Sequence, residues 1–202
     1  MERPKIEISE PRRFGVLSIV GKYLFSFLPA IPVLAALLAI SLKNLGLWSL
    51  ILPLALLAGM IYILPFFGNS YVSWIVHLAK SEGLSRDKVI VQITLSPRIR
   101  TGFRALIEDA DDVGYLTFNQ SELLFLGDSV NLAIPFEKIR AVQGENVGLR
   151  GAYVSGGRIR LQISGLEHFE ALELAERESR VLPSSRRITR ELFDRLRSRV
   201  ER

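Results

Sequence analysis

Two runs of this sequence carry no charged residue: Leu24 to Leu42 and Leu47 to Phe67. Their apolar residues do not keep to one stripe, as they do on a surface helix of a globular protein, but lie on all sides of a helical wheel. An α-helix rises about 1.5 Å per residue, so roughly 20 residues cross a hydrocarbon layer about 30 Å thick. Both runs reach that length. Only Lys43, Asn44, Leu45 and Gly46 separate them, so short a link that the helices must be antiparallel neighbours. The pattern therefore predicts a two-helix transmembrane hairpin over residues 23–68. A cleaved signal peptide fits less well, because the first run is long for one and no small-x-small site leads into a polar start. Pro29, Pro32, Pro53 and Pro65 fall within the hairpin and are expected to interrupt its helices. The absence of charge in either run leaves no path for an ion or a proton.

Downstream the period changes. Tyr71, Trp74, Ile75 and Leu78 recur at helical spacing, so residues 69–88 read as a juxtamembrane connector that continues the second helix or lies along the surface. From Val89 the alternation has period two, with Val89, Val91, Ile93 and Leu95 on one side and Ile90, Gln92 and Thr94 on the other, the mark of a half-buried strand. Further short strands are expected at Gly114–Phe118, Glu122–Leu126, Val130–Phe136 and Ile139–Gln143. Ala152–Val154 and Arg158–Ile163 flank Ser155–Gly156–Gly157 as a hairpin would. Residues 168–175 suit strand or helix, with strand preferred. Pro183 with Ser184 or Ser185 announces a terminal helix, whose Ile188, Leu192, Leu196 and Val200 form an apolar stripe joined by Phe193. The fold class is therefore an α+β membrane protein: a helical hairpin, then an antiparallel β-barrel or sandwich over residues 89–202 with a C-terminal capping helix.

Charge orients this arrangement. Arg3, Lys5, Arg12, Arg13 and Lys22 precede the hairpin in a basic segment, residues 1–22; Lys80, Arg86 and Lys88 follow it, and the turn holds Lys43 alone. Basic flanks stay inside, so both termini are expected in the cytoplasm, with the hairpin in the inner membrane. The net charge of +5 suits an anionic leaflet. The chain has no cysteine and only His77 and His168. Disulfides, thiolate catalysis, cysteine-ligated metals and histidine-rich metal sites are thereby excluded.

Three stretches, Gly114-Tyr-Leu-Thr-Phe, Glu122-Leu-Leu-Phe-Leu-Gly and Ala133-Ile-Pro-Phe-Glu-Lys-Ile-Arg-Ala-Val, resemble the strand series of GRAM domains. With the meander of short strands and one terminal amphipathic helix, residues 89–200 resemble the pleckstrin-homology (PH) superfold, most closely its bacterial PH-like and GRAM-like branches. The resemblance implies a non-catalytic binding or assembly module at a membrane. It also implies that the first loop, where PH domains hold lipid head groups, is the place to look for a ligand.

That loop contains Arg98, Arg100 and Arg104. Guanidinium groups pair bidentately with phosphate, so the three are candidates for contact with an anionic phospholipid, against the plainer reading of a solvated basic loop or a salt bridge to the acidic turn. In that turn Glu108, Asp109, Asp111 and Asp112 could ligate a divalent cation, but the spacing is not that of a calcium loop and turn capping suits them better. Gly144, Gly148, Gly151, Gly156 and Gly157 match no phosphate-binding motif. No G-x-S-x-G elbow surrounds Ser155, and neither histidine has an evident nucleophile beside it. No cofactor is expected. The arginines of the last helix lack interleaved exposed aromatics, which argues against nucleic acid. The expectation is a non-enzymatic module anchored in the bilayer that binds a protein partner or anionic lipid, or else an accessory subunit of a larger transport or envelope-assembly complex.

Overall fold

The computed structural model describes residues 5–8, 16–43, 47–60, 64–79, 88–95, 111–145, 157–165 and 170–201. A short strand, β1 (Lys5–Ile8), comes first. Then follow α1 (Val16–Phe27), α2 (Ala30–Leu42), a 3-10 turn (Leu47–Leu50) running into α3 (Ile51–Met60), and α4 (Leu64–Ala79). Seven strands come next: β2 (Val89–Leu95), β3 (Asp112–Phe118), β4 (Glu122–Gly127), β5 (Val130–Pro135), β6 (Ile139–Glu145), β7 (Arg158–Ile163) and β8 (Ala171–Glu176). A 3-10 turn, Phe136–Lys138, joins β5 to β6, and α5 (Leu182–Val200) ends the fold.

The prolines act at helix boundaries. Pro29 stands between α1 and α2, where a proline disfavours helical geometry at the residue before it, and the axes of Val20–Phe27 and Ala30–Ile40 meet at 46°. Pro32 and Pro65 fall in the first turns of α2 and α4, where the missing N–H has no intrahelical partner to lose, and Pro53 stands where the 3-10 turn passes into α3. The expectation that all four interrupt helices is thus corrected: one marks a break and three stand at starts. Among the described residues no single helix is long and apolar enough to cross a membrane; the bent pair Val20–Phe27 and Ala30–Ile40 is so by length and composition. Helix α1 packs closely on α4. A Cβ on Gly68 would stand 2.6 Å from the Lys22 carbonyl oxygen, and one on Gly21 would stand 2.9 Å from the Tyr71 ring.

The sheet is antiparallel throughout, in the order β1-β5-β4-β3-β2-β8-β7-β6. Its seven main strands curl into a half-barrel, and α5 packs on their inner side. The alternation explains this. Val91, Ile93, Leu116, Phe125, Leu161 and Leu174 point inward and join Leu192 and Leu196 of α5 in one buried core. The outward row Ile90, Val113 and Tyr115 is covered by Val72, Ile75 and Val76 of α4. Strand β2 is consequently buried on both faces, not one, from Ile90 to Thr94.

Residues 171–176 are strand, as preferred, and Arg158–Ile163 pairs with β6 and β8; Ala152–Val154 lies outside the described residues. Two details differ from expectation. The residue preceding α5 is Val181, with no side-chain cap, while Ser185 is fully buried inside the helix. The N-terminal segment also supplies a strand, with Lys5 opposite Ala133 and Ile8 opposite Val130.

Candidate functional site

Apolar exposure is concentrated on the helices. The large hydrophobic side chains that stand open to the surroundings include Leu24 (68%), Leu38 (62%) and Ile31 (59%), and among the described residues all of them fall between Val20 and Trp74. None belongs to the half-barrel. Helix α2 exposes Ile31, Leu34 and Leu38, and α3 exposes Ile51, Leu54 and Leu56. Open apolar side chains in this number mark a site of interaction with lipid or with other apolar helices.

Where the helices meet the sheet the character changes. Phe25 stacks on Tyr71 with ring centroids 5.4 Å apart, and Tyr71 leans on Trp74 at 6.0 Å. Beside this aromatic row the contacts are polar. The Asn69 Nδ2–H donates to the Ser179 carbonyl at 2.8 Å and is buried, and the Ser73 hydroxyl donates to the Arg177 carbonyl at 3.3 Å. Tyr115 Oη and His77 Nδ1 share a hydrogen bond of 2.7 Å, and Lys88 Nζ lies 4.4 Å above the Tyr115 ring. Burial raises the Tyr115 phenol above its ordinary value, and the nearby Glu178 carboxylate adds to the rise. Glu178 is itself raised by burial, against the N–H it accepts from Ile90 and the charge of Lys88, with Glu176 adding to the rise. The adjoining turn is held by Glu176, whose Oε2 accepts the backbone N–H of both Glu178 and Ser179 at 3.1 Å. These bonds fix α4 to the end of β8 and the start of β2.

A separate cavity of about 350 Å³ opens at β6–β7–β8. Arg140, Arg160, Gln162, Ser164 and Glu170 line it, with Gly165 at its rim. The two guanidiniums against one carboxylate suit a carboxylate- or phosphate-bearing group. Gly165 has φ +84°, which only glycine adopts without strain. The Ser164 hydroxyl donates to the Lys138 carbonyl at 3.1 Å, so its proton serves the turn.

Arg98, Arg100 and Arg104 lie outside the described residues, as do Glu108, Asp109, Ser155 and His168. Asp111 and Asp112 are turn acceptors. Asp111 Oδ2 accepts the Leu95 N–H at 2.6 Å, and Asp112 accepts the N–H groups of Val113, Ser129 and Val130. Among the described residues no three metal-ligating side chains gather. Sequence reading missed the Arg140–Arg160 cavity and the Tyr115–His77 bond. The period-two series Arg158-x-Arg160-x-Gln162 carried a signal for the first, since it puts three polar side chains on one face of a strand. Comparison with family models, curated proteins and solved structures gives no match for this chain.

Proposed function

We propose that this chain is a non-enzymatic, membrane-anchored PH-like module: the helices hold it in the inner membrane, and its half-barrel binds a protein partner or an anionic head group at the cytoplasmic face. The observation that carries this reading is the segregation of exposed apolar surface. Large open hydrophobic side chains crowd α1–α4, whereas the described half-barrel keeps its own inside. In water that surface would drive aggregation; in lipid it needs no cover.

Two further features support it. Strand β1 precedes the hairpin and pairs with β5, which follows it, so the chain must leave and re-enter on one side of the bilayer. The basic flanks then favour the cytoplasmic side for both ends. The meander β2–β5, the return through β6–β8 beside β2, and the closing helix α5 are the arrangement expected of a PH-like domain. Fold alone does not select the ligand. The cavity at Arg140 and Arg160 supports an anionic group there.

Fractionation tests the anchor. The full chain is expected to stay with membranes through an alkaline carbonate wash and to leave them only in detergent. Recovery in the aqueous fraction after cell breakage would sink the reading. Stoichiometric subunits that co-purify in mild detergent would turn it toward an accessory subunit of a larger complex.

A further inference from the structure

Helix α5 and the residue pair before it carry charge unevenly. Residues 180–190 hold Arg180, Arg186, Arg187 and Arg190 and no acidic residue, a charge of +4. Residues 191–201 balance Arg195, Arg197 and Arg199 against Glu191, Asp194 and Glu201. A helix dipole favours cations at the C-terminal end, not here. Core packing does not account for them either, since all four arginines are exposed. Arg187 approaches Glu191 at 3.8 Å, a contact between two open side chains that holds little. A local choice that neither the dipole nor the core explains is expected where a surface has a task.

Position supplies the task. The Ser179 carbonyl is bonded to Asn69 of α4, so the chain enters α5 from a point fixed on the anchor helix. Two and five residues along α4 from Asn69 stand Tyr71 and Trp74, the latter 57% exposed. Such aromatics settle at the boundary of water and hydrocarbon. Arg180 and the first turns of α5 therefore begin beside that boundary.

Resting on the membrane-anchored reading, we propose that Arg180, Arg186, Arg187 and Arg190 form the surface that lies on anionic lipid head groups. The chain lacks cysteine, so one fluorophore can be placed at S184C, beside the patch, or at S198C, in the balanced half. The full chain is reconstituted in nanodiscs of phosphatidylcholine with a fixed trace of head-group nitroxide lipid, with or without about one-third phosphatidylglycerol. Anionic lipid is expected to raise quenching at position 184 at least about threefold and to leave position 198 unchanged. The rise should vanish in R180Q/R186Q/R187Q/R190Q and in molar salt, with the variant's thermal melt unchanged. Quenching at 184 that ignores phosphatidylglycerol, or a rise that survives the fourfold substitution, overturns the proposal while the anchor stands. A protein that does not enter nanodiscs at all overturns the anchor, and this surface with it.

Discussion

Asp112 opens β3 with a carboxylate wholly out of solvent (0% exposed). Its Oδ1 accepts the Val113 N–H at 2.8 Å, and its Oδ2 accepts those of Ser129 at 2.9 Å and Val130 at 2.7 Å. One side chain thus ties the start of β3 to the tight turn between β4 and β5. Asp112→Ala strands three donors, at about 1–3 kcal/mol each. Part of that is returned because a charge no longer has to be buried, which leaves a net loss of about 3 kcal/mol. For a domain of this size the melting temperature of the detergent-solubilised chain should fall by about 12 °C. Asp112→Asn keeps one acceptor oxygen and turns an NH₂ toward the remaining donor, so it should cost about half as much. The pH dependence has a definite sign. Burial raises this carboxyl above 3.8, outweighing the three N–H bonds that lower it, and Asp128 adds to the rise. The native state then keeps the proton where the unfolded chain has lost it, so this group's contribution is greatest below pH 3.8 and falls as pH rises through the raised value. Asp112→Asn should abolish that slope. An Asp112→Ala melt within about 3 °C of wild type, or an asparagine variant weaker than the alanine one, refutes the reasoning.

Three other outcomes follow from single contacts. A Cβ on Gly114 would stand 2.2 Å from the Leu126 carbonyl oxygen, and that backbone cannot retreat without breaking the β3–β4 ladder; Gly114→Ala should yield little folded protein by size-exclusion chromatography. Gly59→Ala, with nothing within 4 Å, serves as its control and should elute as wild type does. Tyr115→Phe removes the 2.7 Å bond to His77 at a cost of about 1 kcal/mol; ultraviolet titration should also lose one phenol that ionises above the ordinary value of 10.0, raised by burial and by Glu178. Leu38→Glu puts a charge on a residue 62% exposed. In lipid this costs about 3 kcal/mol and should reduce membrane retention, whereas an unchanged distribution would mean that α2 faces water.

The helical run, the main strands and the terminal stripe were legible because each shows as a period in hydrophobicity. Leu192 and Leu196 go to the core as their spacing requires, and the alternation at Val91 and Ile93 names the inner face of β2. Strand β1 was not read. Four residues, Lys5-Ile-Glu-Ile, are too short for a period, and their pairing with β5 is set by a partner over a hundred residues away. The burial of Gln92 and Thr94 was hidden for a related reason: their polarity promised an open face. Packing closes it, and Gln92 meets the Arg177 guanidinium at 3.0 Å. At the cavity the alternation places Arg160 and Gln162 on one face, but bringing Arg140 beside them depends on the register between β6 and β7, with its irregularity between Ile139 and Ala141, which no local pattern encodes. The turn-capping role preferred for the acidic turn is what Asp111 and Asp112 perform, directing their oxygens at backbone N–H groups rather than at one shared point; Glu108 and Asp109 lie outside the described residues.

The helices and the half-barrel are joined more firmly than a flexible tether would join them. A chain that merely hung a domain beneath a hairpin would need no contact between the two. Here α4 lends Val72, Ile75 and Val76 to the outer face of the sheet, and Asn69 and Ser73 bond to the backbone beyond β8. Strand β1 returns the other end of the hairpin to β5. Both ends of the helical segment are thereby fastened to the sheet at separate places. Rotation of the half-barrel against the helices then requires breaking a buried hydrogen bond, an apolar seam or a strand pairing. The half-barrel is thereby held in one orientation relative to the helices. The Arg140–Arg160 cavity is held in a fixed direction relative to the helices. Loosening that hold should change orientation without unfolding. Asn69→Ala, which orphans a buried carbonyl at about 1–3 kcal/mol, should speed amide exchange through Arg177–Ser179 while leaving exchange in β3 and β4 as it was. Equal acceleration in all three would show that the helices and the sheet unfold as one unit and that the junction has no separate role.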